Sequence, residues 1–548
     1  MINQKLKIVL LHAILLIFTN LKAQETLLLG GGFQTNANLF IRDSQIGAFN
    51  IPQYDHQLFG SESWLDLNAS YQGFSGGIRF DAFNNSNLLN PVSSYTEYGI
   101  GKWYIQKETD HFEVQAGYIY DQIGSGIIYR AYEERAQLID NALIGVSGRY
   151  KFNNNWAVRG FTGKQRNLFE SYNSILKGIA LNGFYKPTDS SSWSIAPGFG
   201  FVNRTLGEEL VTQITSIVGS YEKEDQFEPY YNSNAFTVFN NLSWKDISWY
   251  VEAAFKPKDI YYDPNAIRQL PLGQSTLGKL VSKKGSVLYT SLSYTKNQFG
   301  LTLEAKRTEG FSFRSEPLLT LNKGLVNFIP PMAKINTYRL TAIYYPATQF
   351  LDEMAFQADL KYGLGENWFF SVNYSNIRDK DFKTKFYNEI YLEVIYKNED
   401  KWQLTGGIQR QVFNQELYYS HIDEPDVETF TPFAEFLYKF NRKTSLRIET
   451  QYMDNKEDIG SWIYGLAELG FAPHWLIEVS DMYNTKPTKG KTALNYPSAG
   501  LVFSKGSNRF ALRYTKQIEG IICSGGICRL EPAFSGIRAS ITLSLIHI

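Results

Sequence analysis

The densest run of chemically able side chains is Gly124-Ser125-Gly126-Ile127-Ile128-Tyr129-Arg130-Ala131-Tyr132-Glu133-Glu134-Arg135. Its glycines permit a tight change of direction, and the residues after them suit a short helix with Arg130 and Glu134 on neighbouring turns. Folded into a lumen, Arg130, Glu133, Glu134 and Arg135 would constrict a pore or contact a polar solute. The plainer reading of the same charges is a salt-bridged brace within the loop. A second candidate is Cys523-Ser524-Gly525-Gly526-Ile527-Cys528. The paired glycines favour a reversal that brings the two sulfurs together, so oxidation would staple the end of a hairpin. The spacing is not the two-residue redox motif, and two cysteines do not complete an ordinary metal site.

Elsewhere the chemistry is sparse. His56, His111, His421, His474 and His547 fall in no metallopeptidase or zinc-ribbon spacing. His421 is followed by Asp423, Glu424, Asp426 and Glu428, but a hard cation needs about six oxygen donors in one array, and a solvated acidic loop explains these residues. Tyr261, Tyr262 and Asp263 suit sugar stacking less simply than an interfacial girdle. No nucleophile-base spacing and no phosphate cradle between strand and helix occurs, so no catalytic residue, cofactor site or metal site is assigned. The 54 basic and 54 acidic residues become 51 and 54 once Lys5, Lys7 and Lys22 are set aside as part of a leader. That balance offers no field for nucleic acid.

The elements that must carry these residues are strands. In Asp66 to Gln72, Leu67, Ala69 and Tyr71 share one face against Asp66, Asn68, Ser70 and Gln72. Ile78, Phe80 and Ala82 oppose Arg79 and Asp81; Trp249, Val251, Ala253 and Phe255 oppose Glu252; Leu446, Ile448 and Tyr452 oppose Arg447, Glu449 and Gln451. Charges in the middle of strands fit a wet lumen better than a dry sandwich core. A hydrophobic content of 43% and an aromatic content of 15%, with 36 Tyr and 38 Phe, suit lipid-facing alternation between two aromatic girdles. Lys5 and Lys7, the apolar run Ile8 to Phe18 and Leu21-Lys22-Ala23 form a secretory signal over 1–23, and no later run reaches transmembrane-helix length.

Short links near Gly73 and at 152–155, 244–247, 296–298, 397–400 and 441–443 alternate with long stretches such as 204–234, 257–285 and 414–429. This is the pattern of short periplasmic turns and long extracellular loops. The expectation is an all-β fold: residues 24–548 as one closed antiparallel transmembrane barrel, with no room for a separate plug domain. Loop parity counted from both ends disagrees by one strand between Arg307 and Lys361. A hidden strand around Phe311 to Phe328 would make 26 strands, the preferred count; a non-spanning segment between Tyr338 and Leu360 would make 24.

Tyr129-Arg130-Ala131-Tyr132-Glu133, Asn327-Phe328-Ile329-Pro330-Pro331 and Gly525-Gly526-Ile527-Cys528-Arg529-Leu530-Glu531-Pro532 resemble an uncharacterised family of Bacteroidetes outer-membrane β-barrels. The resemblance covers most of the chain and implies the bacterial outer membrane, with no catalytic residue to carry over. The terminal Ile548 departs from the aromatic ending usual in such barrels. The leading functional expectation is passive passage of a small polar solute. The alternative is a non-enzymatic scaffold or accessory subunit of a secretion, assembly or surface-lipoprotein complex, with outer-membrane lipids and an outer-membrane protein or surface lipoprotein as partners.

Overall fold

The computed structural model describes residues 27–547 apart from 321, 349–350, 420–422 and 525–526, with backbone alone for 272, 522–524, 527–528 and 545–547. The expected signal lies outside these residues. One antiparallel sheet of 24 strands closes on itself. The first strand, Leu28–Phe40, pairs with Phe59–Tyr71 on one side and with the last strand, Phe534–His547, on the other. Closure removes every sheet edge, as a bilayer demands, because an unpaired backbone amide in hydrocarbon costs several kcal/mol.

The alternation read from the sequence is realised as outside against inside. Phe80, Trp249, Phe255 and Ile448 are exposed on the outer face, while Arg79, Asp81, Glu252 and Glu449 are buried on the inner one. At the end where both termini lie, the links are two to four residues long, apart from 184–192. The long connections leave the opposite end. Among the regular structures they hold are the helix Glu208–Gly219 and a hairpin in which Ile247–Gln269 and Ser275–Lys296 continue far past the rim. The stretch expected as a loop over 257–285 is therefore mostly strand. Ladder pairing persists through two bulges, and helix residues Leu210, Ile214 and Val218 cover Ile260 and Leu280 above the barrel.

The strand count is 24 rather than 26, because 310–352 enters the lumen instead of crossing the sheet. Phe299–Glu309 and Glu353–Leu364 are direct neighbours, with Thr308 opposite Glu353. The chain leaves the wall at Gly310, in a left-handed conformation (φ 56°) where a Cβ would strike the Lys284 carbonyl at 2.4 Å. Its amide donates to Asp352 Oδ1 at 2.7 Å, so departure and return are tied together. The segment 120–142 also turns inward, and the two pair with each other through Arg130 N to Val326 O (2.8 Å) and Phe328 N to Gly126 O (2.9 Å).

Together these segments make an insert whose apolar side chains are largely buried against the wall, apart from the turn through Ile335. Ile123, Ile127, Ile128, Phe311, Phe313 and Leu340 form one apolar cluster with inward-facing wall residues such as Phe161, Leu176, Val202, Ile377 and Trp462. The irregular backbone of 310–352 has few carbonyl partners of its own, and the wall supplies them. Gln165 donates to Leu325 O (2.5 Å), Arg204 to Arg314 O (2.7 Å), Lys306 to Pro330 O (2.7 Å), Gln409 to Thr341 O (3.0 Å) and Gln411 to Tyr344 O (3.2 Å). Buried carbonyls left unpaired would each cost about 1–3 kcal/mol. Phe313→Ala is expected to lower unfolding stability by about 3–5 kcal/mol, as for a large core side chain. Phe382→Ala, on an exposed loop, should stay within about 0.5 kcal/mol. Denaturant unfolding of the refolded barrel checks both, and equal effects would show that the insert is not core.

Candidate luminal site

The charged inner face divides into two kinds of place. Under the insert, Arg204, Lys256 and Asp259 have no side-chain exposure at all. Asp259 accepts from Arg204 at 2.7 Å and from Lys256 Nζ at 2.7 Å, and Lys256 also donates to Ser312 O of the insert. These charges hold each other and the inserted backbone; water does not reach them. Such a set is stable only as a whole, since removing one member strands the others without solvent.

On part of the last several strands the inner face is instead partly accessible. Arg447, Arg513 and Arg538 keep 30%, 35% and 34% of their side-chain surface exposed. Arg447 gathers Glu435 (2.8 Å), Glu449 and Glu468. Arg513 binds Glu478, and Arg538 binds Glu531 (3.0 Å) and Gln517 (3.1 Å). Between them face Ser480, Ser540, Asn36 and Asp66, all partly accessible. The deep turn of the insert hangs over this space: Tyr338 stacks on Phe433 at 4.2 Å, while Ile335 is 66% exposed within the barrel. Arg339, next along the same stretch, is also exposed, and the charges acting on it are Glu531 and Arg538. The unfilled lumen is thus an eccentric polar chamber beside a dry insert.

At the long-loop end, 41–58 packs onto the ends of the first and last strands. Phe40 and Phe534 occupy the inward faces of the first and last strands at the rim, and Arg538 lies over the Phe534 ring at 4.0 Å. Tyr54, from 41–58, packs edge-on against Phe40 (5.3 Å) and donates to Ala533 O at 3.1 Å, while its oxygen accepts from Ser535 N at 3.1 Å. Burial pushes the Tyr54 phenol up to about 12, so it remains a donor throughout the physiological range.

The four charged residues singled out in the sequence lie in the segment 120–142, two of them bonded to inward-facing residues of the wall. No helix forms through Arg130 and Glu134. Two short ladders, Gln122–Ile123 with Tyr129–Arg130 and Glu133–Glu134 with Ile139–Asp140, replace it, because Ile127, Ile128 and Tyr129 are buried on every side and a one-faced helix could not bury them all. Arg130 stacks on Phe328 at 4.1 Å and on Tyr132 at 4.7 Å. Glu134 accepts from Ala136 N at 3.3 Å, opening the turn Arg135–Gln137. Glu133 joins Arg79 (2.7 Å) to Arg135 (2.9 Å), and Arg135 reaches Asp66 (3.2 Å) and Gln34 (3.0 Å) on the wall. Arg79 also binds Asp81 (2.6 Å) and Asp140 (3.2 Å), and Arg166 bridges the same two carboxylates. Arg79 and Asp81 were visible as an inward pair, but nothing in spacing ties them to Glu133, Asp140 or Arg166; only the inward direction of a mid-strand charge marks them.

Burial works against the Glu133 carboxylate, yet Arg79 and Arg135 together hold it below the ordinary glutamate range. Of the other candidates, Cys523 and Cys528 stand opposite each other in the ladder of Gly520–Ser524 with Ile527–Glu531, and their side chains lie outside the described residues, as does His421. Asp423 and Glu424 are exposed, and Glu428 lies 3.7 Å from Arg410.

A closed sheet of this size, apolar outside and ionic within, defines a transmembrane β-barrel of the outer-membrane type. The chain belongs to DUF6029, a family of unknown function, whose pattern matches residues 3–545. No curated protein matches the chain. Similar solved structures include the siderophore receptor PirA from Pseudomonas aeruginosa, at 8% identity over 96% of this chain and 81% of that one, with a TM-score of 0.40. PirA from Acinetobacter baumannii gives 8% over the same shares and 0.41. OccK8 (OprE) from Pseudomonas aeruginosa gives 11% over 73% of this chain and 98% of that one, with 0.35.

Glu133→Gln is expected to cost about 2 kcal/mol at neutral pH, the worth of hydrogen bonds to a charged group. Because the folded carboxyl titrates below its unfolded value, that contribution is complete above the ordinary glutamate range, shrinks as pH falls through it and is gone below the folded value. The Tm gap between wild type and Glu133→Gln should therefore hold from about pH 8 to about pH 5.5 and close in stronger acid. A gap constant into strong acid would dismiss the ionic account. For the cysteines, thiol labelling of the secreted protein should be absent before reduction and mark two sites after it; free labelling at the outset would refute the staple.

Proposed function

We propose that this chain is an outer-membrane channel for passive passage of a small polar solute, with its path through the polar chamber rather than the barrel axis. The observation that carries this reading is the contrast between the two halves of the lumen: zero exposure around Arg204 and Asp259 against roughly one-third exposure of Arg447, Arg513 and Arg538. A barrel needing only closure has no physical reason to leave a line of arginine and glutamate side chains in water. Alternating opposite charges along such a wall favour solutes with several hydrogen-bonding groups over bare ions of one sign. With termini and short turns in the periplasm, the chamber opens on that side. The contact of Tyr54 and Phe40 with Ala533 and Phe534 closes it toward the exterior.

Leaving the dry insert in place, passage requires only that this small cap moves. The same count argues against expelling 310–352, which would expose the apolar ring and unpair several buried charges at once. A second reading, docking of a partner subunit, is favoured by one feature. At the end of the long hairpin Ile267 and Leu277 face each other across the ladder and are 56% and 64% exposed.

In planar bilayers wild type should give rare, discrete openings, and Tyr54→Ala should raise open probability about tenfold, the effect of losing roughly 1.4 kcal/mol of closed-state contacts. Absence of conductance in both proteins across voltage would remove the channel reading. Recovery of one stoichiometric partner in native detergent, lost on I267S/L277S, would establish the docking role instead.

A further inference from the structure

The outer face carries a feature that neither conduction nor closure uses. Four neighbouring strands, Glu170–Gly183, Trp193–Thr205, Asn232–Trp244 and Ile247–Gln269, present matching rungs to the surroundings. One rung is wholly apolar: Ile179 opposite Phe201, Phe201 opposite Phe236, Phe236 opposite Phe255. The next outward rung toward the long-loop end is polar: Lys177 opposite Asn203 and Asn203 opposite Asn234. Above it stand Thr205 and Asn232, again opposite each other. On the first three strands the change from apolar side chains to amides and an ammonium takes place within two residues, with Ile175 opposite Thr205 above Lys177 and Pro257 following Phe255 on the fourth strand, and it marks the boundary of the hydrocarbon.

These polar groups are joined before any ligand arrives. Asn203 Nδ2 donates to Asn234 Oδ1 at 2.8 Å, Thr205 Oγ1 to Asn232 Oδ1 at 2.7 Å, and Lys177 Nζ to Thr205 Oγ1 at 3.1 Å. Beside them a cleft of about 530 Å³ is lined by Tyr230, Tyr231, Asn232, Asn234 and Lys258, with Glu228 also in its wall. Lys258 Nζ sits over the Tyr230 ring at 4.7 Å, and Tyr231 is exposed. Lys258 and Glu228 thus share the cleft with amides and aromatic faces, and Lys177 joins the adjoining polar rung through Thr205.

We propose that this face holds the headgroup of a phosphorylated, acylated glucosamine disaccharide from the outward leaflet. The lysines would receive phosphate, the asparagines sugar hydroxyls, and the Ile179 to Phe255 rung the acyl chains. The charge fits an anion, the tyrosine faces fit pyranose rings, and the apolar rung directly beneath fits a lipid rather than a soluble anion. The proposal rests on placement of the barrel in the outer membrane and not on whether it conducts. A failure here leaves the bilayer measurements untouched.

The test is native mass spectrometry of the full chain in detergent. A bisphosphorylated lipid A is titrated against phosphatidylglycerol at equal charge. Wild type should keep one lipid A molecule in preference to phosphatidylglycerol. K177Q/K258Q should weaken retention about 30-fold, at roughly fivefold per surface lysine. Heat-modifiable gel mobility should stay unchanged in this variant, and N203A/N234A should weaken retention with both lysines present. Three results would overturn the site: equal retention by the lysine variant, equal binding of phosphatidylglycerol, or displacement of lipid A by millimolar inorganic phosphate.

Discussion

A closed sheet of 24 strands encloses more space than its own inward side chains can fill, and the rest of the molecule answers that constraint. Closure is set by the bilayer, which leaves no sheet edge unpaired. The volume it creates must then be either water, at the expense of apolar inner surface, or protein. Here the chain does both. It sends 120–142 and 310–352 inward to pack against an apolar arc of wall, and leaves the opposite arc polar and wet.

That division governs how charge is used. Under the insert, Arg204, Lys256 and Asp259 are held without side-chain exposure by bonds to each other and to the carbonyls of Ser312 and Arg314. In the chamber, Arg447 with its three glutamates sits partly in solvent, where each pair is worth less and each group can exchange partners. The Arg79, Asp81, Glu133, Asp140 and Arg166 cluster stands at the border and fixes the insert to the wall. One lumen thus holds both fully buried ion pairs and partly accessible ones.

Much of the wall was legible in order of residues, because a strand between lipid and lumen must alternate. Arg79 and Asp81 against Phe80, and Glu252 against Trp249 and Phe255, took the sides their spacing demanded. Turn lengths likewise assigned the two ends. The segment 310–352 was not legible for a physical reason. Packed between the wall and 120–142, its buried stretches have no preferred face, so Phe311, Phe313, Leu325 and Val326 form short apolar groups that look like a strand while following neither period. Its departure and return between adjacent strands, tied by Gly310 and Asp352, leaves the strand parity even. Residues 257–269 failed in the opposite sense: Pro257, Pro264 and paired tyrosines read as loop, but pairing with Ser275–Lys296 and cover from the helix Glu208–Gly219 stabilise them as strand.

By itself, the sequence determined the class of fold, the division of the barrel into a short-turn end and a long-loop end, and the inward direction of its charges, since each depends on local alternation and on turns a few residues long. It also marked 124–135 as a charged segment able to enter a lumen. Only the tertiary structure decided that Glu133 and Arg135 meet Arg79, Asp66 and Gln34, that Arg130 stacks on Phe328, and that an apolar cluster fills part of the lumen. Those outcomes join residues dozens to hundreds of positions apart across an enclosed space. Their energies depend on whether water remains between them, and that is a property of the filled barrel rather than of any stretch of chain.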